Sequence, residues 1–217
     1  MHEVNHTLPD QILMAYSTGM LPQSFDLVVA THVSICDDSR ARLESFDAIG
    51  GAVLEQSAPA EMAEGSLDHM LSVLSQGNGS EAVSPRSILG EGVFPEPLQT
   101  VVGGDLDAVE WRGIGMGCKQ AVVYRAGESS VRLLQIPGGV GMPEHSHGGT
   151  EMTLVLQGAY RDEVGRFARG DVEVGDSGLM HTPVAEGDEP CICLVANEAR
   201  LKFTTLLPKL AQPFLGI

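Results

Sequence analysis

Gly139 to Gly158, G-V-G-M-P-E-H-S-H-G-G-T-E-M-T-L-V-L-Q-G, is the stretch on which the reading of this chain turns. It sets His145 and His147 two residues apart, places Glu151 four further on, and has a glycine at each end. On an extended strand, residues i and i+2 point to one face, so two imidazoles reach the same ion. A Gly-Gly-Thr turn at 148–150 then returns Glu151 beside them, at the head of an apolar strand from Met152 to Leu156. Nitrogen and oxygen donors converging on one face suit a borderline divalent cation: zinc, manganese, iron or nickel.

A fourth donor stands thirty residues beyond Glu151, at His181, in G-D-V-E-V-G-D-S-G-L-M-H from Gly170. The two segments together resemble the paired motifs of the cupin superfamily. Gly139, His145, His147, Glu151 and Gly158 fit the first motif at every spacing. Gly170, Gly178 and His181 fit the second, which departs at Asp176 and Ala185, where cupins usually carry proline and asparagine. The resemblance implies a jelly-roll β-sandwich with a divalent metal held by His145, His147, Glu151 and His181.

The composition is that of folded globular material: 217 residues, 43% hydrophobic and 19% charged. A cupin core would take little more than half of that length, leaving room for a second domain. There is no run of eighteen apolar residues, and M-H-E-V-N-H does not read as a signal peptide, so the expected location is the cytoplasm. Cys36, Cys118, Cys191 and Cys193 are too few and too scattered for a disulfide scaffold. Cys191 and Cys193 alternate within C-I-C-L-V-A, a strand with buried thiols. A net charge of −16 argues against direct binding to nucleic acid or an anionic membrane. The acidity is concentrated: residues 1–75 hold eleven acids against Arg40 and Arg42 alone. Such a domain could complement a basic protein partner.

Taken in order, the chain opens with four predicted helices. Thr7 is the expected cap of the first, which Gly19 stops. The second fits Gln23 to Cys36, the third Ser39 to Glu55 with Gly50-Gly51 liable to split it, and the fourth Ser66 to Leu74. Gln76 to Ser87 has the Gly, Ser and Pro content of a linker, closed by Pro95 and Pro97. From Leu98 onward, runs such as L-Q-T-V-V, A-V-E-W-R, Q-A-V-V-Y-R, V-R-L-L-Q-I and L-K-F-T-T-L-L read as strands of a jelly roll. The expected fold is therefore α+β in two domains: helical residues 1–75, a linker over 76–97, and a cupin over 98–217.

A second constellation lies among the helices. His32 and Cys36, four apart on one helix face, have the spacing that presents two ligands to one ion, and His6 is placed to fold back as a third. These residues sit within D-Q-I-L-M-A-Y-S-T-G and S-F-D-L-V-V-A-T-H-V-S-I-C-D-D-S-R-A. With the G-A-Y-R-D-E and H-T-P-V-A-E turns and the ending L-P-K-L-A-Q-P-F-L-G-I, they resemble the ChrR-type zinc anti-sigma factors over nearly the whole chain. The resemblance implies that the helical domain grips an extracytoplasmic-function sigma factor and blocks its access to core RNA polymerase. It implies that the cupin serves the response to oxidants such as singlet oxygen or organic peroxides. It also matches His6, His32 and Cys36 to three zinc ligands, with Ser39 where the fourth, a cysteine, is expected. Asp37, Asp38, His2 or a water are the candidates to fill that gap, and a domain held by packing without metal is the alternative.

The competing reading is a metal-dependent cupin enzyme such as a dioxygenase, with Tyr124, Tyr160 and Arg132 as catalytic groups beyond the ligands. The regulator is the better reading because it gives both domains a task.

Overall fold

Cys191–Asn197, strand β11, is buried at every residue, which requires cover on both faces of the sheet that contains it. The computed structural model describes residues 4–76, 92–199 and 202–203, and both covers lie within them. The chain begins with helices α1 (Asp10–Ser17), α2 (Gln23–Ile35), α3 (Asp37–Glu55), α4 (Ser66–Ser75) and α5 (Glu96–Val102), then a 3-10 turn at Leu106–Ala108. Strands β1 (Arg112–Gly115), β2 (Cys118–Ala126), β3 (Ser129–Ile136), β4 (His145–Ser146), β5 (Glu151–Gln157), β6 (Ala159–Arg161), β7 (Arg166–Ala168), β8 (Val172–Gly175), β9 (Met180–His181) and β10 (Val184–Glu186) precede β11, and β12 (Lys202–Phe203) follows it. One six-stranded sheet runs β1-β2-β3-β11-β5-β8, and two three-stranded sheets run β10-β6-β7 and β12-β4-β9. Every pairing is antiparallel.

The strand period of two sorts the large sheet into two cores. Ile192, Leu194 and Ala196 of β11, Met152, Leu154 and Leu156 of β5, and Val131 and Leu133 of β3 face one way. They share a cluster with Leu8, Leu13, Phe25, Val28, Val29, Phe94 and Leu98, so α1, α2 and α5 lie on this face. Cys191, Cys193 and Val195 face the other way, with Val155, Ile136, Tyr160, Phe167 and Ala185, inside the jelly roll. The helices are thus one of the two walls that cover the sheet.

Several local expectations are corrected. The run L-Q-T-V-V is helix α5, because Pro95 caps it, Pro97 stands in its first turn, and Gly103 ends it at φ 86°. A-V-E-W-R begins in the 3-10 turn that ends at Ala108, is irregular over the next three residues, and enters β1 only at Arg112. Pro9, not Thr7, precedes α1, and the Thr7 hydroxyl accepts from Arg42 Nη1. Helix α3 starts at Asp37 and runs through Gly50 and Gly51 unbroken. Cys36 is the extended residue between α2 and α3, at φ −117° and ψ 105°. Most of the 76–97 stretch and the sequence from 204 onward lie outside the described residues, but Phe94 at its far end is part of the core.

Gly170 is required where the two parts meet. It has φ +93°, and a Cβ there would sit 2.7 Å from Val4 Cγ2. The shared core gives a direct test. Leu154 is fully buried on the helix-facing side of β5. Leu154→Ala is expected to cost about 2–5 kcal/mol. Far-UV circular dichroism and Trp111 fluorescence should report that loss in one coincident transition; separate transitions would mean that helices and sheet do not share a core.

Candidate metal centre

The β4–β9 ladder pairs His145 directly with His181, which brings together residues thirty-six positions apart. Glu151 opens β5 beside them, and His147 follows β4. One ligand atom from each of the four lies within 4.8 Å of every other, and all four residues are buried. Gly158, at φ +69°, lets the chain turn out of β5 against Pro190 and Cys191. Asp176 shapes the turn before β9: its Oδ1 accepts from Gly178 N at 2.7 Å.

The protons show what the cluster lacks. His145 Nδ1 is 2.8 Å from the Pro143 carbonyl, and His181 Nδ1 is 2.8 Å from Asp162 Oδ2. Both partners only accept, so both Nδ1 atoms carry the hydrogen. In the neutral rings the two Nε2 lone pairs then face each other across 3.2 Å, a pair that needs a proton or a cation between it. His147 Nδ1 lies 3.4 Å from Glu151 Oε2, yet neither of its buried ring nitrogens makes a hydrogen bond. Orphaned buried imidazole nitrogens beside a carboxylate fit a divalent ion held by His145, His147, Glu151 and His181.

The surroundings tune these ligands. Burial pulls the His181 pKa down, but Glu173 and Asp162 outweigh it and hold the value up at about 9 in the ion-free protein. Burial lowers His145, against the opposing pull of Glu151 and the Pro143 hydrogen bond. Asp162 is fixed in turn by Val164 N and Gly165 N. Glu173 Oε2 accepts from the Tyr160 hydroxyl at 2.7 Å, and burial, together with the Glu173 charge, keeps Tyr160 a phenol. A carboxylate behind a ligating histidine fixes its tautomer and strengthens it as a donor. The sequence reading did not single out Asp162 or Glu173. D-V-E-V gave no signal for Glu173, because its alternation groups Glu173 with Asp171 on a face that reads as solvated, whereas the structure buries both.

A largely apolar cavity opens on the cluster, lined by Ile114, Leu134, Ile136 and Met142 with Arg132, Tyr160 and Cys193. Arg132 donates to Ser130 Oγ and Gln120 Oε1, and burial brings its pKa down to about 10. Of the three groups considered as catalytic, Arg132 and Tyr160 reach this cavity. Tyr124 lies elsewhere, donating to Gln23 on α2.

The second constellation is placed differently. Among the described residues, the ligand atoms of His6, His32 and Cys36 do not come within 4.8 Å of one another as a group. His32 Nδ1 contacts the Gly170 carbonyl at 3.0 Å and Nε2 the Ser39 hydroxyl at 2.8 Å. The His6 ring packs on Phe167 with centroids 4.4 Å apart, and its Nδ1, which makes no hydrogen bond, is 3.7 Å from Asp171 Oδ2. Burial holds the His32 pKa at about 4, so that ring is neutral near pH 7.

Fold and site define a cupin with a buried three-histidine, one-glutamate cluster, carrying a helical N-terminal part. The family model described as the ChrR cupin-like domain matches residues 99–200. The Anti-sigma-E factor ChrR of Cereibacter sphaeroides is 47% identical over 214 residues, covering 99% of both chains. A crystal structure of Rhodobacter sphaeroides SigE in complex with the anti-sigma ChrR contains a chain 45% identical to this one. That chain matches with a TM-score of 0.77 over 90% of the present chain and 99% of its own. The chain belongs to the ChrR family of anti-sigma factors, which are regulators and not enzymes.

Asp162 gives the prediction for this centre. In Asp162→Asn the Val164 and Gly165 amides hold the remaining oxygen, so an NH2 group faces His181 Nδ1 where an acceptor stood, and zinc binding should weaken by about 10- to 100-fold. Competition against a chromophoric chelator measures it, and unchanged affinity would show that Asp162 does not orient His181.

Proposed function

We propose that this chain binds and silences an extracytoplasmic-function sigma factor through its N-terminal helices, and that its cupin, with a divalent metal on His145, His147, Glu151 and His181, governs release in response to oxidants. End-to-end similarity to an anti-sigma factor supports the class. The observation that carries the partner surface is the state of α3 and α4. Among the ten residues of α4 none is buried, although Leu67, Met70, Leu71 and Leu74 recur on one helical stripe. Leu67 is 68%, Leu71 54% and Leu74 69% exposed, and Leu54 near the end of α3 is 74% exposed. An apolar stripe of this extent on a −16 chain is the mark of a helix that lays its face on a protein partner. Eleven acids against two arginines in residues 1–75 suit a partner with a basic surface.

The division of labour follows from this arrangement. The partner surface lies on α3–α4, away from the jelly-roll cavity, while α1 and α2 sit on the sheet whose opposite face holds the metal cluster. Among the described residues no helix is long and apolar enough to cross a membrane; a sigma-factor partner is what supports a cytoplasmic setting. Zinc is the first metal to test. Manganese, iron and nickel share the same donor preferences closely enough to be measured beside it.

Leu71→Glu on α4 tests the surface. It should weaken the complex with the cognate sigma factor by at least about tenfold, as loss of a central apolar anchor does. Expected alongside are unchanged thermal stability of the free protein and higher transcription from the sigma factor's promoter. Undiminished binding by both Leu71→Glu and Leu67→Glu would rule out α4 as the contact.

A further inference from the structure

We infer that, where the ChrR resemblance puts a zinc ion, this chain instead has a metal-free polar clasp that fastens its first two helices to the cupin. The clasp has two arms. In the first, His32 is fully buried and both its nitrogens are engaged: Nδ1 donates to the Gly170 carbonyl, and Nε2 accepts from the Ser39 hydroxyl. In the second, the fully buried Asp171 carboxylate takes three backbone N–H groups. Asn5 N and His6 N donate to Oδ1 at 2.7 and 2.9 Å, and Ala168 N donates to Oδ2 at 2.8 Å. The His6 carbonyl then accepts from Val172 N at 2.9 Å.

The residues do not fit a zinc ion at this place. A serine hydroxyl is a poor zinc ligand, and here it satisfies the one lone pair that His32 could offer. His6 stacks on Phe167 and faces Asp171, while Cys36 occupies the extended joint between α2 and α3. The cupin cluster is an internal control. There, His147 keeps both ring nitrogens without hydrogen bonds, as a site built for an ion does; at His32 nothing is left over, and the one unbonded nitrogen of the clasp, His6 Nδ1, belongs to a part-exposed ring turned to the Asp171 carboxylate at 3.7 Å. One buried imidazole waits for a cation and the other is complete without one.

The clasp also lies close to the cluster along the chain. Asp171 stands two residues before Glu173, whose Oε1 is 3.4 Å from His181 Nδ1. Residues 168–173 therefore hold the N-terminal segment with one end and back the cupin cluster with the other. A change at His181 has a short covalent route to the seat of the helices.

Two measurements on the full chain decide this, and neither depends on which sigma factor it binds. The first is metal content after expression in zinc-supplemented medium. Wild type and Cys36→Ser should carry the same amount, about one ion per chain, and His145→Ala/His147→Ala should carry almost none. A second zinc in the wild type, or the loss of one on Cys36→Ser, would overturn the inference. The second is amide hydrogen exchange at Asn5, His6 and Val172. Asp171→Ala should speed it about tenfold or more, whereas Cys36→Ser leaves it unchanged. Asp171→Asn, which keeps an oxygen for the Asn5 and His6 amides, should retain most of the protection and separates loss of the clasp from general misfolding. Exchange that is indifferent to Asp171→Ala but accelerated by Cys36→Ser would place a metal, not the carboxylate, in control of this segment.

Discussion

Burial of the six-stranded sheet on both faces is the constraint from which the architecture follows. A jelly roll needs only its inner face covered, and its outer strands ordinarily alternate apolar with polar. Here β11 is apolar from Cys191 to Ala196, and the helix-facing residues of β3 and β5 include Val131, Leu133, Met152, Leu154 and Leu156. Left to water, that face would be a large exposed apolar patch. Helices α1, α2 and α5 remove it, so the position of the N-terminal part is set by the sheet it covers. Helix α4 is left at the periphery with its apolar stripe exposed, joined to the core through α3. One set of helices is spent on the fold and α4 is free for a partner.

The same sheet arranges the charges. Its inner face carries Glu151 on β5, opposite Gly175, and Glu173 on β8, opposite Thr153, so the two buried carboxylates lie diagonally across one strand pair. Buried carboxylates are tolerated only with compensation. Tyr160 and His181 supply it for Glu173, and Asp162 draws its hydrogen bonds from Val164, Gly165 and His181. Glu173 Oε1 has only the ion-pair contact with His181 Nδ1 at 3.4 Å, and His147 has no hydrogen bond at either ring nitrogen. The protein thus backs its imidazoles with carboxylates and leaves the centre itself in need of a cation.

How much of this was legible in the sequence differs between the two parts. The cluster of His145, His147, Glu151 and His181 was readable because a strand's two-residue period and the glycines at 139, 158 and 170 fix where side chains go almost without tertiary information. Four of the five helices were readable, and α4 was placed almost to the residue. The seat of the helices was not read, though its trace was present: C-I-C-L-V-A and M-T-L-V-L do not alternate, which signals a strand covered on both sides. L-Q-T-V-V read as a strand because β-branched residues dominate it. The Pro-Glu-Pro before it and Gly-Gly after it were the stronger signals. The partners of His6 and His32 were beyond sequence reasoning, because Asp171 and Gly170 lie more than a hundred residues away. Spacing within a helix suggested a local ion site, whereas a long-range backbone carbonyl and a near serine engage the ring.

The pairing of His6 with Val172 has a consequence for how the molecule is made. These two residues are separated by most of the chain, and the ribosome delivers the helices long before the strand on which they settle. Until β8 and β11 have emerged, α2 has no apolar surface to cover, and Asn5 and His6 have no carboxylate to receive their amides. The nascent helices therefore wait, with Phe25, Val28 and Val29 uncovered, for contacts of very high sequence separation. A translation product cut short before β8 would present α3 and α4 on an unfinished base. The seat of α2 and of the Asn5–His6 segment is in this way available only in chains that already possess the strands of the cupin, and synthesis order makes the cupin the template on which the N-terminal part settles.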